Sequence, residues 1–240
     1  MSKKIGLNFD WYFSKFSPIH LKNLNIQGWE LVHLPHNAVD LPFNHFDEKM
    51  TEGLFSYVKT IELKKEWKDK SVFLRFEGVA HRCEIYLNNK LVMEHKGGYT
   101  PFEVYLNDVA QFDNLNTLLV VVDTQEHSSI PPFGGVVDFL GYGGIYREAF
   151  LLVHEKEHIK NIYVKVDPPL QFNSIKLIVH LTHKKGYLDI SIKNNDLIEV
   201  IAQRSIVFEH VMGIKIDVPY KVLWSLKNPY LYTVDVAYYI

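Results

Sequence analysis

Between residues 54 and 153 the chain reads as one short strand-like run after another, and nowhere there does a 3.6-residue apolar period persist for a dozen positions. A chain patterned this way has to bury sheet faces against each other, because it has no amphipathic helix to lay over them. Residues 55–63 (FSYVKTIEL) put β-branched and aromatic residues at close to alternate positions. In the next run Val72, Leu74 and Phe76 point one way and Arg75 and Glu77 the other, while Phe73 interrupts the polar face and implies that this face is covered as well. Residues 84–87 and 91–94 flank Asn88-Asn89, two residues that tolerate the positive φ angles of a tight turn, so a hairpin is expected there. Residues 118–122 are continuously apolar, as in a strand buried on both faces, and residues 146–153 close the set. The reading is a β-sandwich, and an aromatic content of 14% fits it, since flat rings pack well on a pleated surface.

Ahead of this set lies an aromatic-rich run, residues 7–16, stopped by Ser17-Pro18, where proline cannot donate to a ladder. Residues 29–34 lead into a long aperiodic stretch that ends near Gly53, and its apolar members Val39, Leu41, Phe43 and Phe46 predict a loop packed on something. Residues 154–158 are polar and read as a linker, which puts a domain boundary near 156: residues 1–156 form one domain and 157–240 another. The second part supplies six strand-like runs, at 159–166, 175–182, 187–193, 200–208, 214–218 and 231–239. An immunoglobulin-like sandwich needs about seven, so one strand is expected to be missing and a sheet edge left open.

A formal charge of −2 and a pI near 6.6 provide no field that would draw nucleic acid or an anionic membrane, so neither is expected as a partner. The opening MSKKIGLNFDWYF has polar and charged residues where a secretory signal needs an apolar run, and no segment is apolar for long enough to span a bilayer. The single cysteine, Cys83, excludes an intrachain disulfide, and a cytoplasmic location is expected. The 12 histidines contain no pair four apart with a carboxylate between them, and His180 and His183 would lie on opposite strand faces, so neither a metal nor a cofactor is anticipated.

Residues 72–107, VFLRFEGVAHRCEIYLNNKLVMEHKGGYTPFEVYLN, and residues 138–148, DFLGYGGIYRE, together resemble the N-terminal sugar-binding domain of glycoside hydrolase family 2, the family of β-galactosidases, β-glucuronidases and β-mannosidases. Residues 223–236, LWSLKNPYLYTVDV, resemble the penultimate-strand signature of that family's second domain. The resemblance refines the first domain to a galactose-binding-like jelly roll and the second to an immunoglobulin-like sandwich lacking its last strand. It also implies that catalysis belongs to a later (β/α)8 barrel, for which 240 residues leave no room. The family's acid/base follows an asparagine in an Asn-Glu motif, and no such dipeptide occurs here, so no catalytic residue is assigned and the chain is expected to be inactive alone.

What the resemblance does assign is a sugar contact. Asp138 stands six residues before Gly144 of the Gly144-Ile145-Tyr146-Arg147 run, where family members use an aspartate to accept hydrogen bonds from sugar hydroxyls. Asp40 falls where some β-galactosidases carry a sugar-touching asparagine, although an ordinary loop aspartate accounts for so short a match too. Arg147 is carried as a third candidate, with its planar fork of donors fixing the loop. Gly134, Gly135, Gly141, Gly143 and Gly144 permit close approach to a ligand or partner domain. His36, in Leu34-Pro35-His36, and residues 97–102, GGYTPF, are expected to serve packing and turns. The expected partners are a β-glycoside and the missing barrel, with homo-oligomers as in family enzymes. Two other readings stay open: a free-standing carbohydrate-binding module using Trp11, Trp29, Trp67 and Trp224, and an interaction domain that pairs through its open edge.

Overall fold

The structure, a computed structural model, describes residues 2–15, 24–39, 52–131, 133, 141–166, 174–196, 198–218 and 222–240. The chain divides into two compact units, Met1–Glu155 and Lys156–Ile240. Among the described residues both are all-β with antiparallel pairing throughout, and the regular structure that is not strand is a single 3-10 turn, Lys65–Trp67.

Unit 1 contains β1 (Lys3–Gly6), β2 (Trp11–Ser14), β3 (Glu30–Val32), β4 (Leu54–Leu63), β5 (Ser71–Phe76), β6 (Arg82–Leu87), β7 (Lys90–Lys96), β8 (Phe102–Tyr105), β9 (Asn114–Asp123) and β10 (Ala149–His154). They form a four-stranded sheet, β1-β10-β5-β8, and a six-stranded sheet, β3-β2-β4-β9-β6-β7. The pleat sends alternate side chains inward, and one continuous core draws on both sheets. Val72, Leu74 and Phe76 of β5 and Leu151 and Val153 of β10 come from the first, and Tyr57, Ile61, Ile85, Leu87, Leu118 and Val120 come from the second. Each of these fully buried aliphatic or Phe side chains contributes about 1.5–3 kcal/mol relative to exposure. Phe73, on the other face of β5, is half-buried beside Tyr105, with ring centroids 5.3 Å apart. Its neighbour covers that face in part.

The expected hairpin is present: Leu87 pairs with Lys90, and Asn88 and Asn89 turn the chain at φ 50° and 65°. β9 is central in its sheet, between β4 and β6, which is why its apolar run Leu118-Leu119-Val120 is buried on both faces. The chain's start departs from expectation. Lys3–Gly6 forms a strand of its own against β10, and Asp10 (φ 59°) turns the chain into a shorter aromatic strand, β2. β1 is an edge strand with mostly exposed residues, so it carries no apolar alternation to be read.

Unit 2 contains β11 (Ile159–Val166), β12 (Ser174–Leu181), β13 (Tyr187–Lys193), β14 (Glu199–Ile206), β15 (Val211–Asp217) and β16 (Thr233–Tyr239). They pair as β11-β12-β15 and β14-β13-β16. Strict alternation along β13 and β15 buries Leu188, Ile190 and Ile192 and Met212, Ile214 and Ile216, which meet Leu177 and Val179 of β12 in a second core. The inward residues of β16, Val234, Val236 and Tyr238, are only partly buried against it. β16 begins at Thr233, two residues later than the apolar pattern suggests, because its ladder partner β13 ends at Lys193, the residue paired with Thr233.

Candidate functional site

Three segments far apart in the chain meet at one end of unit 1. The stretch after β3 runs alongside residues 143–145: the His36 N–H donates to the Ile145 carbonyl (2.9 Å), and the Ala38 N–H donates to that of Gly143 (2.8 Å). The Asn37 carboxamide closes the joint. Its Oδ1 accepts the Gly143 N–H at 3.0 Å and its Nδ2 donates to the Val39 carbonyl at 2.7 Å. From the other side, Ala80 and Gly144 exchange backbone hydrogen bonds (3.0 and 3.2 Å), and the Thr124 N–H donates to the Gly53 carbonyl (3.0 Å).

Beneath this joint lies a polar pair within an aromatic cluster. Tyr57 is fully buried, with its hydroxyl 2.8 Å from Nδ1 of His36 and its ring packed at 5.0 Å centroid distance from Phe13. Burial pushes the Tyr57 phenol far up, an effect partly offset by a backbone hydrogen bond from Ile145, so it stays protonated and can donate to the imidazole. Burial also holds His36 below the ordinary histidine value, against a smaller opposing effect of the Glu30 charge. Gly144, at φ +96°, stands where a Cβ would overlap the Tyr57 hydroxyl, and a Cβ on Gly143 would meet Thr124 Cγ2 at 2.7 Å and Val39 Cγ1 at 3.1 Å. These two glycines are required by close approach.

The His36 shift has a consequence for stability. An unfolded histidine titrates near pH 6.5, and the folded one lower, so below that pH the unfolded chain binds more protons and the native state loses ground. The stabilisation is complete above about pH 6.5 and is lost as pH falls towards the folded value. His95, also lowered by burial, adds in the same sense. The melting temperature should therefore fall between pH 7.5 and 5.5, and His36→Gln should flatten that slope. A slope indifferent to the substitution would remove His36 as its source.

Of the three sequence candidates, Asp138 and Asp40 lie outside the described residues. The described residues nearest them in sequence, Val39 and Gly141, belong to the joint or adjoin it, which brings into one place two segments separated by about a hundred residues. Arg147 is described and exposed. Its Nη1 donates to the carbonyls of Glu77 (3.4 Å) and Tyr99 (3.3 Å), and its Cζ lies 5.3 Å from the Tyr146 ring centre. Sequence reading singled out the glycines of this region and assigned His36 to packing, but it missed Asn37 and Tyr57. The one available signal was Asn37's position after the Leu-Pro-His turn; for Tyr57 there was none, since it reads as any aromatic in a strand.

Other chemistry finds little support among the described residues. No group of three or more His, Cys, Asp or Glu stands together as a metal site. Cys83 is buried, and desolvation pushes its thiol up to about 12, so it is not poised as a nucleophile.

Comparisons with known proteins bear on the family and the fold. Residues 22–156 match the family model described as glycosyl hydrolases family 2, sugar binding domain. A β-galactosidase from Thermoanaerobacterium thermosulfurigenes is 37% identical over 257 aligned positions, covering 99% of this chain and 35% of that protein. A β-glucuronidase from Bacteroides fragilis is 37% identical over 155 positions, covering 63% of this chain and 21% of its own length. The chain thus spans about a third or less of these curated relatives. Among solved structures, a β-glucuronidase from Bacteroides uniformis superposes with a TM-score of 0.80 at 25% identity, over 98% of this chain and 30% of that one. With more than half of its length matched by the family model, the chain belongs to glycosyl hydrolase family 2.

Proposed function

We propose that this chain is the non-catalytic N-terminal portion of a retaining exo-β-glycosidase of β-galactosidase or β-glucuronidase type, and that it lends a sugar-contacting loop to an active site whose carboxylates lie elsewhere. In this reading residues 1–156 are the jelly-roll sugar-binding domain and residues 157–240 an immunoglobulin-like domain short of one strand. Asp138 accepts hydrogen bonds from sugar hydroxyls, Asp40 adds a contact, and Arg147 holds the loop. The observation that carries the reading is the joint of Asn37, Gly143 and Gly144, which gathers the segments leading to both aspartates at one end of unit 1. The alignment over a third of a β-galactosidase supports a larger whole.

Unit 2 supports the same reading. An apolar groove of about 740 Å³ runs past Val164, Ile192, Leu223, Trp224 and Leu231, and Leu226, two residues on from Trp224 in the chain, is 91% exposed. Exposed apolar surface of this kind suits a protein contact, and the partner in this reading is the catalytic barrel of the whole enzyme. Action in the cytoplasm and association into homo-oligomers are parts of the same proposal.

The test is Asp138→Ala in the complete glycosidase. Losing two charge-assisted acceptors should lower kcat/KM by about a hundredfold, or about 2.7 kcal/mol. Titration of the 240-residue chain with galactose, glucuronate and mannose then asks whether the loop binds sugar without its barrel. An Asp138→Ala enzyme within twofold of the wild type would remove the aspartate from the site.

A further inference from the structure

We propose that Tyr99 and Tyr142, backed by Tyr146 and Arg147, form a second carbohydrate subsite on unit 1, one that takes the apolar face of a pyranoside ring. The inference rests on the carbohydrate reading above, but not on Asp138.

The three rings form a chain. Tyr142 and Tyr146 are near parallel, 18° between planes and 6.2 Å between centroids, and Tyr99 meets Tyr146 edge-on at 6.3 Å. The middle ring is the anchored one: the Tyr146 hydroxyl donates to the Gly98 carbonyl at 2.5 Å, and the Arg147 guanidinium lies against its ring. Arg147 also ties the Tyr99 backbone to that of Glu77 through its two carbonyl contacts. Gly78 makes room for the assembly, since a Cβ there would come within 2.9 Å of the Arg147 side chain and 3.1 Å of both the Tyr146 hydroxyl and the Gly98 carbonyl. The outer rings are left open, Tyr142 58% exposed and Tyr99 49%.

A pyranoside suits this surface. One face of the sugar ring presents C–H groups of about the area of a phenol ring, and its rim presents hydroxyls that can pair with phenol oxygens or the guanidinium. Tyrosine offers a large amphipathic face with only two rotatable bonds to freeze, and the anchored Tyr146 ring between the two outer ones loses little further freedom on binding. The character of the surface separates it from the groove on unit 2. There the exposed side chains are Val, Leu and Trp, as at a protein contact. Here every ring bears a hydroxyl, and the exposed sequence neighbours include Thr100, Arg147 and Glu148.

The experiment is an NMR titration of the 240-residue chain with methyl β-D-galactopyranoside and methyl β-D-glucopyranosiduronate, following the tyrosine ring signals. The expected result is a saturable shift at Tyr99, Tyr142 and Tyr146 with a dissociation constant on the order of millimolar. Tyr142→Ala should weaken it at least tenfold, while Tyr142→Phe, which keeps the ring, and Asp138→Ala should each stay within threefold of the wild type. Because Tyr142 is exposed, the alanine variant should keep its melting temperature, which is measured alongside. No saturable ring shift with either glycoside overturns the proposal, as does a shift that survives Tyr142→Ala or one abolished by Asp138→Ala. Rings that respond only when the catalytic domain is added would make the surface a protein contact and would equally overturn it. The Asp138 reading stands or falls separately, on kcat/KM.

Discussion

Gly144→Ala should destabilise unit 1 by about 3 kcal/mol or more, a larger loss than any other single methyl addition near the candidate site. Two penalties combine. At φ +96° an L-residue is strained whatever the space around it, and the added Cβ would overlap the Tyr57 hydroxyl while standing 3.0 Å from the Ala38 Cβ. Tyr57 has nowhere to retreat. It is fully buried, pinned to His36 and packed against Phe13 and Trp11, so relief requires either breaking the hydrogen bond or opening the Ala80–Gly144 pairing. In a domain of this size the melting temperature should fall by roughly 10 °C. The control is Gly141→Ala, where the new Cβ would meet only His81 Nε2 at 3.6 Å, an ordinary contact, and φ is not in the left-handed region. Thermal unfolding of both variants decides the matter: equal stabilities would mean that the joint yields easily and does not hold the site.

A comparable loss, about 3 kcal/mol, is expected for Asn116→Leu. Asn116 is fully buried on β9, and its carboxamide makes four hydrogen bonds. Oδ1 accepts from the Gln111 N–H and from Asn88 Nδ2, both at 2.8 Å, and Nδ2 donates to the carbonyls of Gln111 (2.7 Å) and Asn114 (3.1 Å). Asn88 in turn accepts the Thr117 N–H, so the network ties the β6–β7 turn to the start of β9. Leucine has a similar volume but satisfies none of these groups, so the cost is that of leaving buried donors and acceptors unpaired, with little added cavity. Asn116→Asp should also destabilise, because it keeps the acceptors while turning a carboxylate towards two carbonyls. Denaturant unfolding measures both; a leucine variant within 0.5 kcal/mol of the wild type would show that water replaces the network.

These two residues mark how differently the parts of this protein could be read. The Asn88-Asn89 turn and the alternation of Val72, Leu74 and Phe76 were legible because both are local: a turn needs positive φ at adjacent residues, and a pleat repeats every second residue. β1 was not legible, since an exposed edge strand carries no apolar period. Asp138 was singled out only through the spacing of a resembled motif. Asn116 was not singled out, and only the fold shows that Asn88, Gln111 and Asn114 together satisfy its carboxamide.

What the sequence by itself determined is the all-β class, most of the strands and the hairpin, which depend on periods and spacings within a few residues, and the family resemblance, carried by the motifs at 72–107 and 138–148. Only the tertiary structure decided that Asn37 would reach Gly143, that Tyr57 would sit beneath Gly144, and that Tyr99 would share a surface with Tyr142 and Tyr146. The contacts of Asn37 with Gly143, Tyr57 with Gly144 and Tyr99 with Tyr146 join residues 47 to 106 positions apart. They follow from which strands pair and how two sheets close on one core, a choice set by the summed burial of many side chains rather than by any local pattern.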